Sequence, residues 1–196
     1  MNNLADLAAE LMRSRQTILP KRLIAPGPAP DALARILESA ASAPDHGQLL
    51  PWRFVIVPDA ARAALGDVFA QALLERDSAA LPEQLAQARE KAFRAPLLML
   101  AVVNADSGDT SIDVHERIIS AGCAIQNMLL MATALGFGSS LTSGKALKAS
   151  GFRKLFGLAT EELALCFISV GTIQSRKALR ARPAVTRYVS TLSSPE

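Results

Sequence analysis

Three short segments hold the residues whose types and spacing could do chemistry. Arg15-Gln16-Thr17 sets a guanidinium, an amide and a hydroxyl in consecutive positions. A guanidinium offers a rigid fork of donors that matches a phosphate or carboxylate, and the two neighbours can bind further oxygens. The same arginine also suits a plainer role as a solvated charge near a helix C-terminus, and spacing alone leaves both open. Ala43-Pro44-Asp45-His46-Gly47 is turn chemistry, with Pro, Asp and Gly each favouring a bend for its own reason. It presents His46 just ahead of an apolar run, with Ser42 close by; a loop histidine bonded to backbone is the bland alternative. Leu141-Thr142-Ser143 follows a long helical pattern and offers small side chains and free backbone, or an ordinary polar turn.

Other chemistries find little support. Cys123 and Cys166 both sit in apolar segments, form no CxxC pair and read as reduced, buried thiols. His46 and His115 are the only histidines and no ligand cluster surrounds them, so a metal site is not expected. No nucleophile elbow precedes a helix. Gly136-Phe137-Gly138-Ser139-Ser140-Leu141 lacks the third glycine of a dinucleotide fingerprint and closes a helix where that motif opens one. A net charge of +3 without a basic, aromatic-interleaved stripe argues against nucleic acid. No apolar run reaches the roughly 20 residues of a membrane span, and the Met1-Asn2-Asn3-Leu4-Ala5-Asp6 start lacks the features of a signal peptide. A cytoplasmic address with no membrane contact is the expectation.

These segments need elements to position them. The 196 residues suit a single domain, 1–196, half hydrophobic but only 5% aromatic, which favours alanine- and leucine-rich helices. Leu4, Leu7, Ala8, Leu11 and Met12 form one stripe of a helix over 3–15. A second helix follows Pro30-Asp31 to about Ser42, with Leu33, Ile36, Leu37 and Ala40 inward. Strands are expected at 53–57, at 97–103, at about 139–142 and at 163–170, the last ending at Gly171-Thr172. The runs 97–103 and 163–170 are apolar on both faces and so belong at the centre of a sheet covered on both sides. Helices are expected at 59–76, 82–93 and, shorter, from Ser150 to Gly157. The longest, about 112–135, is almost charge-free around Ser120-Ala121-Gly122-Cys123-Ala124-Ile125. A helix apolar all round needs cover all round, and so short a chain cannot supply it, which points to a subunit interface. The segment beyond Thr172 is basic (Arg176, Lys177, Arg180, Arg182), and Tyr188-Val189 offers one last strand-like stretch. The class is α+β: helices gathered around a small sheet, with the long helix at a subunit interface.

The ordered set resembles the FMN-dependent nitroreductase family, in particular its small single-domain subgroup with an A-P-D-H loop. Arg15-Gln16-Thr17 is similar to the family's Arg-Arg-Ser/Thr box. Ala43-Pro44-Asp45-His46-Gly47 with Pro51-Trp52-Arg53-Phe54 is similar to its loop and strand, and Phe93-Arg94-Ala95-Pro96 to its strand entry. Ser120-Ala121-Gly122-Cys123-Ala124 with Leu135-Gly136-Phe137-Gly138 looks like the central helix and its exit. Gln16 stands where the family carries a second arginine, Leu50 where it carries glutamine, and Ser42 where close relatives carry a cation. The resemblance implies a nitroreductase-like α+β fold, a small central mostly antiparallel sheet surrounded by helices with a long central helix at a dimer interface, and a homodimer binding FMN with both subunits contributing to each site. FMN would be held by Arg15, Gln16, Thr17, Ser42, His46, Leu141, Thr142 and Ser143, with no catalytic side chain of the protein required. It further implies an NAD(P)H oxidoreductase, with NADH or NADPH as donor, acting by a ping-pong mechanism on nitroaromatics, quinones or similar small-molecule acceptors. Residues of about 184–196 are expected to exchange with the partner subunit. Two rivals share the motifs: an FMN-binding protein without turnover, serving as flavin store or redox sensor, and a cofactor-free interaction protein of the same fold.

Overall fold

The computed structural model describes residues 3–178 and 181–192. Its elements, in chain order, are α1 (Leu4–Ser14), β1 (Leu23–Ile24), α2 (Pro30–Ala40), β2 (Trp52–Ile56), α3 (Asp59–Leu74), α4 (Pro82–Glu90), β3 (Leu97–Asn104), α5 (Val114–Ala134), β4 (Gly138–Thr142), α6 (Ser150–Phe156) and β5 (Glu162–Ile173). All five strands join one antiparallel sheet in the order β1-β5-β3-β2, with β4 also paired to β5. This is the expected α+β arrangement.

Strand β3 shows why its sequence is apolar throughout. Leu97, Met99 and Ala101 face α2 and α5, where they meet Ile36, Ala124, Met128 and Ile168. Leu98, Leu100 and Val102 face α3 and α6, where they meet Leu65, Phe152 and Phe167. The alternation of a pleated strand thus feeds two cores, one on each face of the sheet.

Helix ends follow local chemistry. Asp113 caps α5 by accepting from His115 N–H at 2.7 Å. At the other end, Gly136 takes φ +85°, Phe137 N–H donates to Ala132 O at 2.9 Å and Gly136 N–H to Thr133 O at 3.0 Å. That paired closure is the Schellman motif, which needs a residue comfortable in the left-handed region. It turns the chain directly into β4.

Several expectations require correction. Strand β5 does not stop at Gly171-Thr172 but runs on to Ile173, because Leu23 and Ile24 form an unforeseen strand against its end. The Tyr188-Val189 segment is not a strand in this chain. Residues Val185–Arg187 form a 3-10 turn and Tyr188 ends it, although Val185, Tyr188 and Val189 stay exposed. Residues 193–196 of the predicted exchanged segment, and Arg180, lie outside the described residues. The apolar stripe of α1 does not enter the core: no residue of α1 is buried, and Leu4 remains 82% exposed.

One ion pair ties the sheet's far end. Arg53 of β2 reaches across β3 to Glu162 of β5 with two bonds, Nε–Oε1 at 2.6 Å and Nη2–Oε2 at 2.9 Å. Ala159 N–H adds a third at 3.0 Å. The Arg53 bonds hold the Glu162 carboxyl below its ordinary range and raise Arg53. A carboxyl with a depressed folded pKa stabilises above its unfolded pKa, near 4.3, and loses that contribution as pH falls towards the folded value. Glu162→Gln should therefore cost about 2 kcal/mol at neutral pH. It should also flatten the fall of the melting temperature between about pH 5 and pH 3. Thermal melts over that range check this; an unchanged pH slope would contradict it.

Candidate functional site

Strand β4 is the spine of the site. The chain leaving α1 runs beside it: Thr17 bridges to Ser139, and Ile18 N–H donates to Ser139 O at 2.9 Å. The approach is tight. A Cβ on Gly138 would lie 2.7 Å from Ile173 Cγ1 and Leu23 Cδ2 and 3.0 Å from Ile18 Cγ1, so only glycine admits these three neighbours as they stand. Arg15, half-buried, ends α1 with its N–H on Leu11 O, and its own carbonyl accepts from Arg182 Nη2 at 3.2 Å. The basic C-terminal segment thus returns to the first cluster through Arg182. Arg176 and Lys177 are exposed.

Beyond Thr17 the chain turns at Leu19, Pro20 and Lys21 to wall a cavity of about 620 Å³, and Thr142, Ser143, Gly144 and Lys145 form the wall opposite. Leu98, Phe167 and Ser169 of the sheet, with Leu147, contribute its apolar and hydroxyl surface. Residues paired directly across two strands share a face. Thr142 lies opposite Phe167 and Ser140 opposite Ser169, which puts both on the cavity's side of β4. Leu141, opposite Ile168, belongs to the α5 side; of the predicted trio, only Thr142 and Ser143 line the cavity.

The cavity's charge is one-sided. Lys21, Arg76, Lys91, Arg94 and Lys145 line it and, among the described residues, no carboxylate does. Arg94 pairs with Glu90 at 3.1 Å; no ion pair engages the other four among the described residues. Cations gathered in a concave, partly apolar space focus a field that attracts an anion. The buried hydroxyls of Ser139 and Ser140 have no hydrogen-bond partner among the described residues, an uncommon state for buried polar atoms. None of these five cations was singled out as a site residue from sequence. Pro20-Lys21 and Phe93-Arg94-Ala95-Pro96 mark the bends, but which bends converge is a tertiary property.

The second cluster lies elsewhere. Ser42 is exposed just beyond α2, its N–H on Ser39 O. His46 sits in a 3-10 turn, its side chain 66% exposed, with Nδ1 2.8 Å from Glu116 Oε2 in the first turn of α5. The loop is conformationally costly: Gly47, Gln48 and Leu50 have φ of +67°, +53° and +46°. Asp45 holds it, its side chain accepting from Leu50 N–H at 2.7 Å and its carbonyl from Gln48 N–H at 3.2 Å. Left-handed conformations at non-glycine residues persist only where surrounding bonds over-determine them, and they cluster at functional places. Trp52 is not part of either cluster; its indole donates to Ser120 Oγ at 3.0 Å and packs in the core.

Within one chain the two clusters do not meet. The His46 turn rests on the N-terminal end of α5, whereas β4 departs from its C-terminal end, and 21 helical residues span about 30 Å. They also flank opposite edges of the sheet, beyond β2 and at β4. Between them α5 keeps an open face, with Ile119 64% exposed and Gly122 and Gln126 also exposed, beside the unburied α1. A Cβ on Gly122 would meet nothing within 4 Å.

Comparison with known proteins agrees with this architecture. The nitroreductase family's sequence profile matches residues 13–172, and the chain belongs to that family. A Haemophilus influenzae protein provisionally named an NAD(P)H nitroreductase is 33% identical over 152 residues, 78% of this chain and 82% of that protein. YdjA of Escherichia coli K12, with the same provisional name, is 30% identical over 167 residues, 85% of this chain and 88% of YdjA. Among solved structures, a nitroreductase-like family protein from Bacillus cereus superposes with a TM-score of 0.81 at 18% identity, covering 99% of this chain and all of that one. The FMN and NADPH-dependent nitroreductase NfnB (mutant Y88A) from sphigopyxis sp. strain HMH superposes with a TM-score of 0.74 at 18% identity, covering 95% of this chain and 99% of that one. No helix among the described residues is long and apolar enough to cross a membrane.

Proposed function

We propose that the protein is an FMN-dependent NAD(P)H oxidoreductase of the nitroreductase kind, working as a cytoplasmic homodimer on small-molecule acceptors such as nitroaromatics or quinones. The observation that carries this reading is the cation-lined cavity, free of carboxylates among the described residues, whose wall begins at Leu19, two residues beyond the Arg15-Gln16-Thr17 segment, and includes Thr142 at the end of β4.

The donor set fits FMN part by part. A phosphate dianion needs fixed cations, and Arg15 supplies a bidentate fork with Arg182 anchored to its carbonyl. Gln16 and Thr17 can bind phosphate or ribityl oxygens. The orphaned Ser140 hydroxyl lies on the cavity's side of β4 with Thr142, beside Ser143. A flat aromatic ring suits the surface made by Leu98, Leu147 and Phe167. When bound, FMN would supply the hydride-transfer chemistry between NADH or NADPH and the acceptor, and ping-pong kinetics would follow if donor and acceptor use one opening in turn. The chain's own task is to bind, orient and tune. Lys21, Lys91 and Lys145 give the cavity a positive potential, which would favour the more negative, reduced state of a bound flavin. No side chain is required as nucleophile or general base.

Dimerisation completes the site. The uncovered stripe of α1 and the open face of α5 are the surfaces a second copy would cover. A two-fold axis across α5 exchanges its two ends, carrying Ser42 and His46 of the partner subunit towards Arg15 and Thr142. The exposed Val185, Tyr188 and Val189 are suited to crossing onto the partner.

Purified protein should be yellow, bleach on anaerobic addition of NADPH or NADH, and oxidise the nucleotide steadily when a quinone or nitroaromatic is added. Bleaching without turnover would mark a flavin store, and a colourless protein that binds no added FMN would defeat the flavin reading. Arg15→Ala should weaken FMN binding by roughly 1.5–3 kcal/mol, the range for a charge-assisted hydrogen bond, as measured by calorimetry. Wild-type affinity would remove Arg15 from the site. Deleting residues 184–196 should abolish dimers in sedimentation, whereas unchanged dimers would exclude the exchanged segment.

A further inference from the structure

Arg62 is a buried cation with no carboxylate bonded to it. It stands on α3, 3% exposed, and its guanidinium donates to three backbone carbonyls: Nε to Val57 O at 3.2 Å, Nη1 to Ala92 O at 2.7 Å and Nη2 to Pro96 O at 3.3 Å. Burial disfavours its charge and Asp59 offsets this only in part, so the arginine is held against a desolvation cost. The three carbonyls belong to places where regular structure ends: just after β2, in the 3-10 turn Lys91–Phe93, and just before β3. There the chain bends out of α4 and into the central strand.

That bend carries Lys91 and Arg94 into the cavity, and Ala88 lies one turn before them. Segment 88–94 joins no strand and is fastened through α3. Gly66 lets Arg89 come so close that a Cβ there would lie 3.1 Å from Arg89 O, and Arg89 pairs with Asp67 at 2.9 Å on the surface. Both contacts sit before the bend; Arg62 grips the residue immediately after Lys91.

Resting on the flavin reading above, we propose that Arg62 is a positioning residue for the cavity: its bond to Ala92 O fixes the turn that holds Lys91 in the cavity wall, and so would tune the balance between oxidised and reduced FMN. Arg62 touches neither cofactor nor substrate and acts only through the backbone of the turn. A purely structural Arg62 would affect the binding of both oxidation states alike. A positioning Arg62 favours the reduced, more negative state, and only while Lys91 is present.

A double-mutant cycle separates these roles. The readout is the ratio of the dissociation constants of oxidised and reduced FMN, from fluorescence quenching combined with redox titration of the holoprotein. Arg62→Gln should lower the preference for reduced FMN about tenfold in the wild-type background and leave it unchanged in a Lys91→Met background. Arg62→Lys keeps the buried charge but cannot span three carbonyls. It should show a smaller fall with the same dependence on Lys91, and it is the variant measured if Arg62→Gln does not fold. An unmoved ratio, or an equal shift in both backgrounds, overturns the proposal while leaving FMN binding intact. A wild-type protein that binds no FMN overturns the flavin reading and this proposal with it.

Discussion

The length of α5 constrains everything else in this molecule. Its 21 residues lie across the sheet, with the His46 turn on its first turn and the Gly136 closure delivering β4 at its last. A rod of about 30 Å cannot be bent to bring its ends together without breaking its hydrogen-bond ladder. The two polar clusters that suit one cofactor are therefore held apart by the element that organises the core. The same helix leaves a face uncovered, with the unburied α1 beside it. The proposed homodimer would answer both, since a second copy related by a two-fold axis would cover the face and bring unlike ends together.

Arginines, of which Arg62 and Arg117 are buried, do much of the local positioning in a chain poor in aromatics. Arg62 ties the ends of β2 and the turn before β3, as described. Arg117, at the start of α5, donates to Ile112 O at 3.1 Å, Ser107 O at 2.7 Å and Asp109 O at 2.6 Å, fastening the loop against which Gly47 and Leu49 pack. Arg153 of α6 donates to Glu162 O and Ala159 O. Each binds carbonyls at or near the ends of helices and strands, and a planar guanidinium suits that task because its donors diverge at fixed angles. The bends next to the strands are thereby held by side-chain bonds as well as by backbone ones.

Much of this fold was legible in the amino-acid order because local and global signals agree. The double-faced run of β3, the glycine exit of α5 and the proline-led starts of α2 and α4 each carry their own physical cause. Strand β1 was not legible: two residues between a lysine-arginine pair and a proline-rich connector carry no period, and they pair only because the end of β5 is there to receive them. The stripe on α1 was visible, but what covers it is not a property of one chain. The candidate site divides similarly. Arg15, Thr17, Thr142 and Ser143 stand out by type and neighbourhood, whereas Lys21, Lys91 and Lys145 are ordinary surface cations in sequence that converge only around the folded cavity, and Arg182 meets Arg15 only when the C-terminal segment folds back.

The most direct test of a site shared between subunits is FMN binding by mixed dimers that join one Arg15→Ala chain to one His46→Ala chain. If each site takes Arg15 from one subunit and His46 from the other, one site carries both substitutions and its companion neither. Titration should then find one FMN per dimer bound with wild-type affinity, while both parental homodimers bind weakly. If both residues served the same site within a single chain, every site in the mixed dimer would be damaged. The absence of any wild-type-affinity site would contradict the account.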